Sequence, residues 1–146
     1  MIKEFLCNIC DMLSIPIPAI SFDTSHFLTN TTLAQLDPSG TIIYLKKCDG
    51  INPDQLFAVA HELRHIWQTK NNNPLYFSSY KPIELCSSIE EYNVQIAELD
   101  ANAFAGLVMI NLFHLKPLFK GLPDSVKEKI SEQMELLKFT DIFRET

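Results

Sequence analysis

The densest chemistry in this chain lies in five consecutive residues, His61-Glu62-Leu63-Arg64-His65. On an α-helix, side chains four positions apart share one face, about 5–6 Å apart at Cβ. The two imidazoles of this HExxH can therefore reach one metal ion. Glu62, turned roughly 100° round the helix from His61, falls beside the metal's open coordination position and not among its ligands. A carboxylate there can take a proton from an attacking water and return it to a leaving amine. With four histidines and ten glutamates in 146 residues, a chance HExxH is a roughly 0.7% event. Spacing alone leaves open a helix whose histidines are merely exposed or satisfied in the core.

Catalytic zinc typically takes three protein ligands and a water, so a third ligand is needed. His26 sits in a polar stretch and His114 at the far end of a helix, and both read as solvated or structural. Glu98, within Ala97-Glu98-Leu99-Asp100-Ala101-Asn102-Ala103-Phe104-Ala105, is better placed. Ala101 and Ala105, near its face, would let this helix approach the HExxH helix closely. Asn102, one turn on, is positioned to hydrogen-bond a ligand histidine and fix its tautomer. The opposing reading makes Glu98 a surface carboxylate on an ordinary helix. An oxyanion donor is also required. Tyr76, Tyr80 and Tyr92 lie between the two motifs, but tyrosines in such a region are more often packing residues, and none is assigned.

The elements that must position these groups are legible in outline. Residues 2–14 form an amphipathic helix stopped by Pro16 and Pro18. Residues 19–22, 33–36 and 41–47 read as strands, the last two flanking the turn Asp37-Pro38-Ser39-Gly40. Asn52-Pro53 is an N-cap followed by a first-turn proline, opening a helix over 53–69 with the stripe Leu56, Ala60, Leu63 and Trp67. Asn71 to Pro74 end it. After a loop to about residue 86, Ser88 with Glu91 fits a capping box for one helix through about residue 112. Asp124 is expected to cap a last helix carrying Val126, Ile130, Met134 and Leu137. The expected fold is one α+β domain over residues 1–146: N-terminal helix, small mostly antiparallel three-stranded sheet, HExxH helix, third-ligand helix and C-terminal helix.

HELRH followed by E-L-D-A-N-A-F-A resembles the ImmA/IrrE family of zinc metallopeptidases, small gluzincin-like proteins with HExxH plus E-x-x-A-N-x-F-A. Glu98, Ala101, Asn102, Phe104 and Ala105 all match the second motif, and the resemblance extends less sharply over about residues 17–110. It implies Zn2+ held by His61, His65 and Glu98, with Glu62 as general base. It also implies a protein substrate, often a repressor of a mobile element or stress regulon. Arg64 stands where many members carry a small residue. The stretch after Ala105 lacks the Leu-Met-Pro that often closes this helix, and the helix-turn-helix module that many relatives carry is not expected here.

Composition bounds the reading further. A 47% hydrophobic, 21% charged chain of this length can bury one ordinary core. A net charge of −6 argues against a surface built to neutralise phosphates, so no direct nucleic-acid contact is expected. No apolar run reaches the roughly 20 residues of a membrane span, and no signal peptide is evident. A cytoplasmic protein is expected, its four cysteines unpaired. Cys7 and Cys10 form a CxxC, but helical apolar spacing around them favours packing over a structural zinc site. The expected activity is zinc-dependent hydrolysis of a peptide bond. The rival is a non-catalytic zinc-containing binding module, an antirepressor or adaptor. Oligomeric state is not legible.

Overall fold

A computed structural model describes residues 1–71 and 74–140, an α+β fold of six helices and one small mixed sheet. Helix α1 (Ile2–Leu13) ends where Ser14 takes a left-handed conformation ahead of Pro16 and Pro18. Strands β1 (Ala19–Ser21), β2 (Ala34–Leu36) and β3 (Ile42–Leu45) follow. Helix α2 (Pro53–Lys70) begins as the sequence indicates: Asn52 accepts from the Asp54 and Gln55 amides, and Pro53 occupies the first turn, where it costs no hydrogen bond. Asn72 and Asn73 of the expected stop lie outside the described residues.

The sheet is not mostly antiparallel. Its order is β1-β3-β2, with β2–β3 antiparallel and β1–β3 parallel. Successive strands do alternate in direction. However, the long connection over residues 22–33 sets β2 one strand-width away, and β3 enters the gap beside β1. Strand length and composition do not encode that insertion. The β2–β3 turn is held by the Asp37 carboxylate, which accepts from the Thr41 and Ile42 amides at 2.8 Å each. Gly40 there has φ +73°, which a Cβ would strain.

The helix expected through residues 89–112 is two helices. Helix α3 (Pro74–Phe77) and a 3-10 turn (Ile83–Leu85) precede α4 (Ile89–Asn93), and the chain extends at Gln95 before α5 (Ile96–Phe113). Half of the capping box forms: Ser88 Oγ accepts from the Glu91 amide, but the Glu91 carboxylate turns to Ser87. Helix α6 (Asp124–Leu137) begins one residue after its N-cap, Pro123, so Asp124 contributes first-turn charge rather than a side-chain cap.

The core forms where α5 lies between α2 and α6, with the sheet and α1 closing the α2 side. Phe104, Leu107 and Val108 of α5 meet Val59 and Leu63 of α2 and Ile130 of α6, all essentially inaccessible. Burying each such side chain contributes roughly 1.5–3 kcal/mol. At Gly106 a Cβ would sit 3.3 Å from Phe119 and Met134, so glycine sets how closely α6 approaches α5. By length and composition α5 could cross a membrane, contrary to the sequence expectation, yet 67% of it is buried within the fold. Core placement accounts for its apolarity.

Candidate metal centre

Three potential ligands converge where α2 crosses α5. His61 Nε2 lies 3.2 Å from Glu98 Oε1, and His65 Nε2 lies 3.1 Å from Glu98 Oε2. The two Nε2 atoms are 3.1 Å apart, and all three ligand atoms fall within 4.8 Å of one another. Ala101 and Ala105, and Ala97 with them, are fully buried, so the two backbones come close enough for a short carboxylate to bridge them. Glu98 retains 2% side-chain exposure against 15% and 16% for His61 and His65. The carboxylate is thus a buried floor, while the imidazoles open on one side to solvent.

Electrostatics within the group follow from this burial. Desolvation pushes the Glu98 carboxyl up, but hydrogen bonds and charge from both histidines outweigh it and hold the group below the usual carboxylate range. For His65, burial alone would lower the pKa. Glu98, with help from Glu62 and Gln68, reverses that and raises it to about 9. Positive charge is therefore favoured beside Glu98. Two neutral imidazole nitrogens and one carboxylate oxygen are a donor set suited to zinc.

The surroundings hold each ligand by its far side. Asn102 Oδ1 lies 2.8 Å from His61 Nδ1, the contact that the helical spacing suggested. Gln68, one turn beyond Arg64 on α2, lies 2.8 Å from His65 Nδ1 and donates to the Ala97 carbonyl and the Asp100 carboxylate, each at 2.9 Å. Asp100 in turn accepts from Arg64 Nε at 2.8 Å and Nη2 at 3.2 Å. The Arg64 guanidinium stacks 3.6 Å above the Trp67 ring, and among the described residues its Nη1 is buried without a partner of good hydrogen-bond geometry. So Arg64 is committed to a buried ion pair joining the two helices.

Glu62 is half-buried beside the free edge of β2, where it accepts a long hydrogen bond of 3.4 Å from the Leu36 amide. Its charge is felt by both His65 and Tyr92. Of the three tyrosines, Tyr80 reaches the centre: its hydroxyl donates to Glu98 Oε2 at 2.8 Å and lies 3.3 Å from the Tyr92 hydroxyl. Burial, then the Glu98 charge, raises both phenols' pKa values, so both keep their protons. Tyr76 instead packs edge-on to Trp67 at 6.2 Å. Tyr80 is held in place by Gln95, whose side chain exchanges two hydrogen bonds with the Lys81 backbone at 2.7 and 2.9 Å.

Sequence reasoning missed Gln68, Asp100 and Gln95. Gln68 and Asp100 lie inside helices and carry no pattern of their own, and partly buried Gln95, at the start of α5, takes its role from the distant Lys81 backbone. His26 packs against the Tyr44 ring at 4.1 Å and His114 ends α5 in a left-handed conformation, so neither joins the ligands. The cysteines are free and none enters the metal group among the described residues. Cys10 is buried, which raises its thiol to about 11, in keeping with packing. Next to the centre, Asn102 and Asn93 border a cleft of about 630 Å³ floored by Phe57, Met109 and Phe119. No family model, curated protein or solved structure matches this chain.

Proposed function

We propose that this chain is a zinc-dependent peptidase that hydrolyses a peptide bond in a protein substrate in the cytoplasm, a transcriptional repressor or other regulatory protein being the class the ImmA/IrrE resemblance implies. The observation that carries the reading is the convergence of His61, His65 and Glu98 within 4.8 Å on one partly open face. Zinc bound by these three residues supplies Lewis-acid polarisation of the scissile carbonyl and of the attacking water. Glu62, beside the histidines yet outside the ligand group, takes the proton of that water and delivers it to the departing amine. Tyr80, which keeps its proton, would turn its single O–H from Glu98 Oε2 to the oxygen that gains charge. The net charge of −6 suits a basic substrate better than nucleic acid.

Purified protein should carry about one zinc and lose it when His61, His65 or Glu98 becomes alanine. Glu62→Gln should keep the metal and lose about 10²–10⁴ in peptide hydrolysis. A second reading, a zinc-containing antirepressor or adaptor, draws support from Leu75, Ile83, Leu85 and Ile89, all exposed between α2 and α5. Glu62→Gln separates the two: a binding module keeps full activity in cells.

A further inference from the structure

We infer that Gln68, held by Asp100 and Arg64, is a positioning residue that fixes the tautomer and aim of His65 for the metal. The inference rests on the metal-centre reading and concerns Gln68, which lies outside both sequence motifs. Gln68 is completely buried, and the orientation of its amide follows from its neighbours. One amide terminus lies 2.9 Å from both the Ala97 carbonyl and Asp100 Oδ2, which can only accept. That terminus must be the nitrogen. The oxygen then faces His65 Nδ1 at 2.8 Å, and because an amide oxygen cannot donate, Nδ1 must carry hydrogen. In the neutral ring this leaves the lone pair on Nε2, the atom that faces Glu98 and His61. His61 lacks such a lock: Asn102 contacts it, but nothing among the described residues holds the Asn102 amide in turn.

Behind Gln68 the chain of contacts continues to a charge. Asp100 is 2% exposed and is fixed by two hydrogen bonds from Arg64, itself stacked on Trp67. Donation from Gln68 to a carboxylate polarises the amide and makes its oxygen a stronger acceptor for His65. The path runs from α2 to α5 and back to α2. The same ion pair that registers the helices, and so delivers Glu98, therefore also sets His65. Partners of this kind typically govern about 10–100-fold in metal affinity.

The test uses the full chain, with zinc affinity measured by competition against a chromophoric chelator and geometry read from the visible spectrum of the cobalt(II)-loaded protein. Gln68→Met, similar in length but unable to hydrogen-bond, should weaken zinc about 10–100-fold and alter the cobalt spectrum. Gln68→Glu, sharing a proton with the adjacent Asp100, still donates toward Asp100 and accepts from His65. It should restore most of the affinity and the original spectrum. Equal loss in both variants, or no loss in Gln68→Met, overturns the inference. A variant-free check is ¹⁵N NMR of the zinc-loaded parent, in which His65 Nδ1 should carry hydrogen and Nε2 should not; the opposite assignment overturns it as well. Should the unaltered chain fail to bind zinc, the metal reading itself falls, and this inference with it.

Discussion

Replacing Asp100 by leucine would strand the Arg64 guanidinium in a site where the two side chains retain 3% and 2% exposure. The lost attraction is only part of the penalty. The arginine charge stays buried, its Nη1 has no well-placed hydrogen-bond partner among the described residues, and the Gln68 nitrogen loses one of its two acceptors. Breaking a buried pair by removing one member costs about 3–5 kcal/mol. The pair between Lys138 and Glu135 is an internal control: its 2.7 Å separation matches the 2.8 Å of Arg64–Asp100, but its side chains are 51% and 66% exposed. Solvent screening limits that pair to about 0–1 kcal/mol, so Glu135→Ala should barely register. Replacing both buried charges, as Arg64→Met with Asp100→Leu, should recover most of the loss, because apolar side chains of similar volume replace buried pairs at little net cost. Urea denaturation in the presence of a chelator would measure all four proteins free of metal linkage. Trp67, the single tryptophan, sits against the guanidinium and reports locally, while far-ultraviolet circular dichroism reports the whole fold. If Asp100→Leu costs no more than Glu135→Ala, the buried pair does not lock α2 to α5, and the account of how Glu98 is delivered is wrong.

Three other perturbations probe the centre and its frame. Tyr80→Phe should lower kcat about 10²–10³-fold with zinc affinity nearly unchanged, whereas a parallel fall in affinity would make Tyr80 a support for Glu98 and not a donor to the oxyanion. Because the folded metal-free chain raises His65 from its ordinary 6.5 to about 9, the associated stability is fully present below about pH 6.5 and is lost as pH rises through 9. Zinc competes with that same proton, so its apparent affinity should strengthen as pH rises toward 9, and a pH-independent affinity in chelator competition would contradict the assignment. Asn52→Ala removes the acceptor for two amides at the start of α2 and should cost about 1 kcal/mol in urea denaturation.

Much of the candidate centre is legible in the sequence because its information is local. HExxH needs only the helical repeat to put His61 and His65 together, and the Asn52-Pro53 signal and the Leu56, Ala60, Leu63 stripe place that repeat on a helix. Glu98 was legible for a related reason: a carboxylate among alanines is out of character for a solvated face, and those alanines are buried. Other features depended on contacts between distant segments. The parallel pairing of β1 with β3 arises from where a long connection deposits β2. The break at Gln95 comes with its side chain bonding Lys81, fourteen residues away, in preference to capping α5. Tyr80 could be told from Tyr76 only once that clamp was visible.

Periodicity therefore determined which residues share a helix face: the histidine pair, the apolar stripes and the alanine-lined approach to Glu98. Tertiary structure decided what stands behind those faces. Arg64 reads from sequence as a departure from a family pattern, and Asp100 and Gln68 as ordinary helix residues. Packed together they become a buried ion pair and an amide whose orientation leaves His65 one tautomer. The reason is physical: spacing along one helix is fixed by backbone geometry, whereas a buried charge or amide takes its role from partners that another segment supplies.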